Sequence, residues 1–315
     1  MKLKKLIADY LALRRALSPG FDALENSLND FCRAVGDKIE ITDITPEQVK
    51  AFLDGTGQIS RYWHRKYGAL LAFYRYAVGR GYVTSAPLPS AIPQPGPSIT
   101  PYIYTPDELA RLFRATSTYR RRHRVLESYT FRALLLLLYG AGLRVSEALA
   151  LTLADVDLTA GLITIRQTKF DKTRFVALGT ELNQELAQYA AQRRQNGHDQ
   201  SSAAPFFIGR HGERISRDTV EESYRTLRKS AGICRTDGAR YQPRLHDLRH
   251  AFAVHRLTTW YREGKDVQKL LPLLAIYLGH VDLSSTQIYL TMTPELLDAT
   301  CERFEQYAFQ EVSHD

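Results

Sequence analysis

The chain has 315 residues, 44% of them hydrophobic and 24% charged, with a formal net charge of +8 and a pI near 9.3. This length suits two domains with ordinary cores, and the excess of Lys and Arg favours a polyanionic partner such as DNA. Three widely spaced cysteines (Cys32, Cys234, Cys301) exclude a disulfide framework, offer no Cys-x-x-Cys zinc pair and suit a reducing cytoplasm.

Met1-Lys-Leu-Lys-Lys is basic, but it runs into an amphipathic helical pattern over 2–16 rather than a signal peptide. A second helix is expected over 23–35. Thr45-Pro46-Glu47-Gln48 combines an N-cap, a first-turn proline and a capping-box glutamine, so a third helix begins there. The fourth, about 60–79, interleaves aromatics with Arg61, Arg65, Lys66 and Arg75, and no acid occurs between Arg61 and Tyr82. Its aromatics suit a core and its cations suit phosphates, on different faces. Six prolines between Ser85 and Pro101 rule out a helix or central strand and mark a semi-rigid linker.

Thr105-Pro-Asp-Glu108 is another capping box, followed by Arg111, Arg114, Arg120, Arg121, Arg122 and Arg124, read as a phosphate-facing edge. Ala133 to Leu143 is apolar but too short to span a bilayer. Two β-rich runs, 162–169 and 174–178, form a hairpin around Phe-Asp-Lys-Thr. A helix is expected over 181–195. Ser216 caps another through Ala231, with Val220, Tyr224, Leu227 and Ala231 as its apolar stripe. Arg217, Arg225, Arg228 and Lys229 lie off that stripe, so this is either a helix in a DNA groove or a plain surface helix.

The chemistry-bearing stretch is Arg244 to Thr291. His246 and Arg249 are three apart and share a helix face. His280 follows Gly279, a helix-ending residue, at the close of the apolar run 270–278, and Tyr289 comes nine residues later. Upstream, Gly142-Leu-Arg144-Val-Ser-Glu147 supplies a second arginine. These groups make a poor hydrolase, because no acidic base or metal cage accompanies them. They suit a phosphodiester: guanidiniums offer bidentate donors to its oxygens, histidines titrating near neutrality move protons, and a phenol can attack. Tyr289, with a reference pKa of about 10, is mostly protonated at neutral pH, and the arginines should favour its phenolate as proton transfer proceeds. Glu147 reads as a brace for Arg144 rather than a base.

Gly-Leu-Arg-x-Ser-Glu, His-x-Leu-Arg-His, Leu-Gly-His and the following tyrosine, in this order, resemble the tyrosine recombinase (phage integrase) family over roughly 104–289. The N-terminal third resembles that family's core-binding domain. The resemblance implies a mainly α fold with a small β-sheet: a helical DNA-binding domain at 1–84, a linker at 85–101 and an α+β catalytic domain at 102–315. It implies site-specific cutting and rejoining of double-stranded DNA through a 3′-phosphotyrosyl link. Arg144, Lys169, His246, Arg249, His280 and the nucleophile Tyr289 are the implied catalytic set. Lys172 competes with Lys169, and the main general acid is left open between Lys169 and His246. Arg61, Arg65, Lys66, Arg75, Arg120, Arg121, Arg122, Arg217 and Arg225 are the candidate DNA contacts. A homo-oligomer on DNA is implied, as a synaptic tetramer or an assembly with related recombinase subunits, with no cofactor, metal or membrane. Two alternatives are a type IB topoisomerase-like relaxation of DNA and a non-catalytic DNA-binding regulator. Trp260 to Lys265 reads as an insertion between helices, and Ala251 stands where the family often has a small hydroxyl residue. Thr293-Pro-Glu opens one more helix to about Phe309, whose stripe Leu297, Cys301, Phe304 and Ala308 either packs on its own domain or, the favoured reading because strand exchange needs several protomers, docks on a neighbouring subunit.

Overall fold

The computed structural model describes residues 1–17, 22–56, 59–94, 99–119, 126–166, 173–239, 241–280, 284–287 and 289. They divide into two compact units, Met1–Ser98 and Ile99–Asp315.

The first unit is built from α1 (Leu3–Leu17), α2 (Asp22–Val35), α3 (Pro46–Asp54) and α4 (Arg61–Gly79). Both arms of the capping box expected at Thr45 form, so α3 starts where the sequence places it. The aromatics of α4 fulfil the core half of its reading: Trp63, Phe73 and Tyr74 are buried with Leu3, Leu6, Leu28 and Phe31. Val83, Ala86 and Leu88, at the start of the proline-rich stretch, pack on the same core. The Pro93 carbonyl lies 2.8 Å from His64 Nε2.

The second unit holds α5 (Pro106–Thr118), α6 (Ser128–Gly140), α7 (Val145–Ala150), a sheet of β1 (Val156–Asp157), β2 (Leu162–Ile165) and β3 (Arg174–Ala177), then α8 (Thr180–Gln195), α9 (Arg217–Ser230), α10 (Asp247–Arg262), α11 (Val267–Leu278) and α12 (Ser284–Gln287). Helix α6 is apolar nearly all round, the pattern of a buried helix, and it packs against α5, α8 and α10. The expected hairpin is β2 and β3, antiparallel with Ile163 opposite Val176 and Ile165 opposite Arg174. The two-residue β1, which sequence alone did not reveal, pairs on the other side of β2. Trp260 to Arg262 do not lie between helices as expected: these residues form the last turn of α10, and Asp266 caps α11 by accepting the Lys269 amide. Among the described residues no helix is long and apolar enough to cross a membrane. The tail stripe (Leu297, Cys301, Phe304, Ala308) lies outside the described residues.

Candidate active site

Glycine starts the site. Gly142 has φ +60°, and a Cβ there would stand 2.5 Å from the Phe252 ring, so backbone and packing both demand its absence. The turn sets Arg144 at the N-terminus of α7. There its amide donates to Glu147 Oε2 at 2.9 Å and its Nη1 to Oε1 at 2.7 Å. The same carboxylate accepts two bonds from Arg174 of β3, at 3.0 and 2.8 Å, and Arg249 Nη1 lies 3.9 Å away. Burial alone would push the Glu147 carboxyl up. The hydrogen bonds from Arg174 and Arg144 outweigh burial and hold it down at about 2. Glu147 is therefore a permanent anion that spaces guanidiniums.

The C-terminus of α11 supplies the opposite wall. Its last carbonyls lack helical partners and carry the negative end of the helix dipole. Three arginines take three successive ones: Arg174 Nε donates to Tyr277 O (3.0 Å), Arg249 Nη2 to Leu278 O (2.6 Å) and Arg144 Nη2 to Gly279 O (3.0 Å). Arg249, only 2% exposed, also donates Nη1 to Gly142 O at 2.6 Å. Gly279 turns left-handed (φ +67°), and the Gly279 and His280 amides bond back to Ile276 and Ala275. This Schellman closure fixes where His280 emerges. A Cβ at Gly279 would meet the Arg174 guanidinium at 2.7 Å.

Tyr289 is 2% exposed and packs with Phe252, Leu257, Leu274 and Leu278 of α10 and α11. Its hydroxyl lies 3.0 Å from His250 Nδ1. The His250 ring meets His246 edge-on at 4.8 Å, and His280 stacks on Tyr289 with centroids 6.2 Å apart. His280 Nδ1 is engaged by Thr286 Oγ1 at 2.6 Å. Burial, reinforced by neighbouring cations, lowers the half-buried His250 and His280 to about 4; His246 is shifted in the same direction, but it is exposed and water moderates the effect. The histidines were expected to titrate near neutrality; desolvation instead keeps His250 and His280 neutral. Burial also raises the Tyr289 phenol, and the pull of Arg249 and Arg144 offsets this only partly, so the phenolate is not favoured in the free protein. Tyr277, another tyrosine of this stretch, donates its hydroxyl to Ala177 O and stacks on Phe252.

A cleft of about 620 Å³ opens beside these groups, lined by Arg144, His246, Arg217, Arg225, Arg228 and Arg244 among others. Arg217 and Arg225, both largely exposed, flank Glu221 one helical turn to either side, at 2.7 and 3.9 Å. The sequence profile of the phage integrase family matches residues 103–295, more than half of the chain. This chain belongs to the phage integrase family. It is 32% identical to the integrase/recombinase y4rB of Sinorhizobium fredii, over 96% of this chain and 97% of that one. It is also 32% identical to tyrosine recombinase XerD of Bifidobacterium longum, over 85% of this chain and 83% of that protein. The fold is that of the Tn1549 transposon integrase in complex with transposon right end DNA, with a TM-score of 0.69 and 16% identity over 98% of this chain and all of that one.

In this integrase-family chain five of the six expected catalytic side chains come together: Arg144, His246, Arg249, His280 and Tyr289. Lys169, with its competitor Lys172, lies outside the described residues, as do Arg120, Arg121 and Arg122. Arg61, Arg65 and Arg75 are exposed on α4. Lys66 departs from the expectation: its side chain is buried, donates to Phe52 O and sits over the Phe52 ring. It belongs to the core of the first unit. Arg228, expected off the apolar stripe, is buried too and donates to Ile233 O and Gln242 Oε1. Sequence reading passed over Arg174, whose partners are 27 or more residues away, and gave His250 no role although it follows Arg249 directly.

Proposed function

We propose that this chain is a site-specific DNA recombinase, an integrase acting on a mobile element, that cuts and rejoins double-stranded DNA through a 3′-phosphotyrosyl link. The observation carrying this reading is a shielded tyrosine hydroxyl beside neutral imidazoles, with two guanidiniums held close by. Phosphoryl transfer places charge on the non-bridging oxygens, so fixed positive charge and positioning do most of the work. Arg144 and Arg249 are anchored on one side by Glu147 and the α11 carbonyls, and hold the scissile phosphate. Tyr289 attacks, Lys169 or His246 protonates the leaving 5′-oxygen, and His280, oriented by Thr286, hydrogen-bonds the phosphate. One ester replaces another, so rejoining needs no energy cofactor.

Residues 1–84 serve as the core-binding domain and 102–315 as the catalytic domain, with 85–101 as the strap. Arg61, Arg65, Arg75, Arg217 and Arg225 contact phosphates, with Arg120, Arg121 and Arg122 as further contacts. Strand exchange joins ends from two duplexes, so several copies act together on DNA, as a tetramer or with related recombinase subunits, in the nucleoid of the cytoplasm.

The test is a nicked suicide substrate. Wild type should give an SDS-resistant adduct, and Tyr289→Phe should bind equally well and give none. An adduct from the variant would reassign the nucleophile. Recombination between two sites, without relaxation of unrelated supercoiled DNA, separates this activity from that of a topoisomerase.

A further inference from the structure

His250 is half-buried, holds the Tyr289 hydroxyl and has no part in the mechanism above. We propose that His250 is the proton acceptor for Tyr289: its Nδ1 takes the phenolic proton as Oη attacks phosphorus and returns it when the strand is rejoined. This rests on the reading that Tyr289 is the nucleophile.

Three observations carry it. Tyr289 is 2% exposed, so its proton must leave to a protein group rather than to bulk water. His250 Nδ1 is at 3.0 Å, within the reach required of a general base. His280 has its Nδ1 engaged by Thr286, while His246 meets His250 ring to ring. Position on α10 explains the division of labour: successive helical residues point about 100° apart, so Arg249 reaches the α11 carbonyls while His250 reaches the tyrosine.

The groups around His250 are Arg244, Arg249, His246, His280 and Tyr289. Burial, then the guanidiniums of Arg244 and Arg249, keep the imidazole neutral, which is the accepting form. The same cations oppose an imidazolium while the site is empty. A phosphodiester bound between the arginines supplies the compensating negative charge, so the tyrosine is activated only when DNA is in place.

The step balances. The Oη–H bond breaks and Nδ1–H forms; Oη–P forms and P–O5′ breaks; the 5′-oxygen takes its proton from the general acid. Rejoining reverses each transfer.

The experiment is single-turnover cleavage by the full chain of nicked DNA bearing either an ordinary scissile phosphodiester or a 5′-bridging phosphorothiolate, whose sulfur leaves without protonation. His250→Ala and His250→Asn are compared with wild type from pH 6 to 9.5, beside gel-shift affinity. Asparagine can keep a hydrogen bond to the phenol but cannot take its proton. Both variants should bind DNA as wild type does and cut about 10²-fold more slowly or worse on both substrates. Their rates should climb with pH as hydroxide replaces the base, and added imidazole should partly restore His250→Ala. Wild-type rate and pH profile in His250→Asn would leave only a hydrogen-bond prop and overturn the proposal. So would a defect that disappears on the phosphorothiolate, because His250 would then serve the leaving group. Tyr289→Phe runs alongside: an adduct from it would overturn the nucleophile assignment itself, a separate failure.

Discussion

At the scale of single residues, the site stores its charges in opposite ways. Glu147 is held ionised far below its usual range, while His250 and His280 are held neutral at about 4. The consequences for stability have separate pH windows. A histidine whose folded pKa lies below the unfolded value near 6.5 leaves the unfolded chain binding more protons, so stability falls as pH drops from 6.5 to 4. Glu147 contributes stability that is complete above about 4.5 and is lost as pH falls toward 2. The melting temperature of the protein should therefore drop already between pH 6.5 and 5, before carboxylates titrate, and His-to-Asn changes should flatten that limb. A level melting temperature across pH 5–7 would mean that the imidazoles are hydrated and accessible. The identities of Arg144, His246, Arg249, His280 and Tyr289 were legible in the sequence because local motifs carry them. Their protonation was not, since desolvation depends on what Phe252, Leu278 and their neighbours bury. Arg174 was invisible for the same reason: an arginine opening a strand gives no hint that Glu147 and Tyr277 O receive it.

At the scale of elements, local chemistry decided what could be read. Helices α3 and α5 were legible from their capping boxes, and α4 was placed to within a residue because Ser60 caps it. The β1 strand, two residues long, has no periodicity to read, and the end of α10 was misjudged because Gly264 (φ +69°), not Trp260, stops it. Gly142 is where an element boundary fixes the site: it lets the α6–α7 turn pass against Phe252 and Leu278 and so delivers Arg144. An alanine there adopts a left-handed conformation at about 1–2 kcal/mol and overpacks the contact at about 1–3 kcal/mol more. For a unit of this size each kcal/mol lowers the melting temperature by about 2–4 °C. Gly142→Ala should thus melt roughly 5–15 °C lower, with cleavage falling more than DNA binding, measured by thermal denaturation beside the suicide-substrate assay. A shift under about 2 °C would show that the turn can relax and that Arg144 does not depend on it.

At the scale of the whole molecule, the +8 charge is useful only where cations face outward. The structure sorts them: Arg217 and Arg225 line the cleft beside Arg144 and His246, Arg61, Arg65 and Arg75 are exposed on α4, and Lys66 is turned into the core. Each cation that neutralises a phosphate releases counterions and adds about 0.9 to the slope of log affinity against log salt. Arg217→Gln and Arg225→Gln should each reduce that slope by about 1, with little change in sequence preference. Lys66→Gln should leave the slope as it is and instead lower the melting temperature, because it removes the hydrogen bond to Phe52 O and the contact with the Phe52 ring. The partial pairing of Arg217 and Arg225 with Glu221 sharpens the test. If they leave Glu221 for phosphate, Glu221→Gln should tighten binding, most visibly at low salt where screening is weakest. Unchanged salt slopes in both arginine variants would remove α9 from the DNA-binding surface. A reduced slope for Lys66→Gln would mean that α4 turns this side chain outward when it meets DNA.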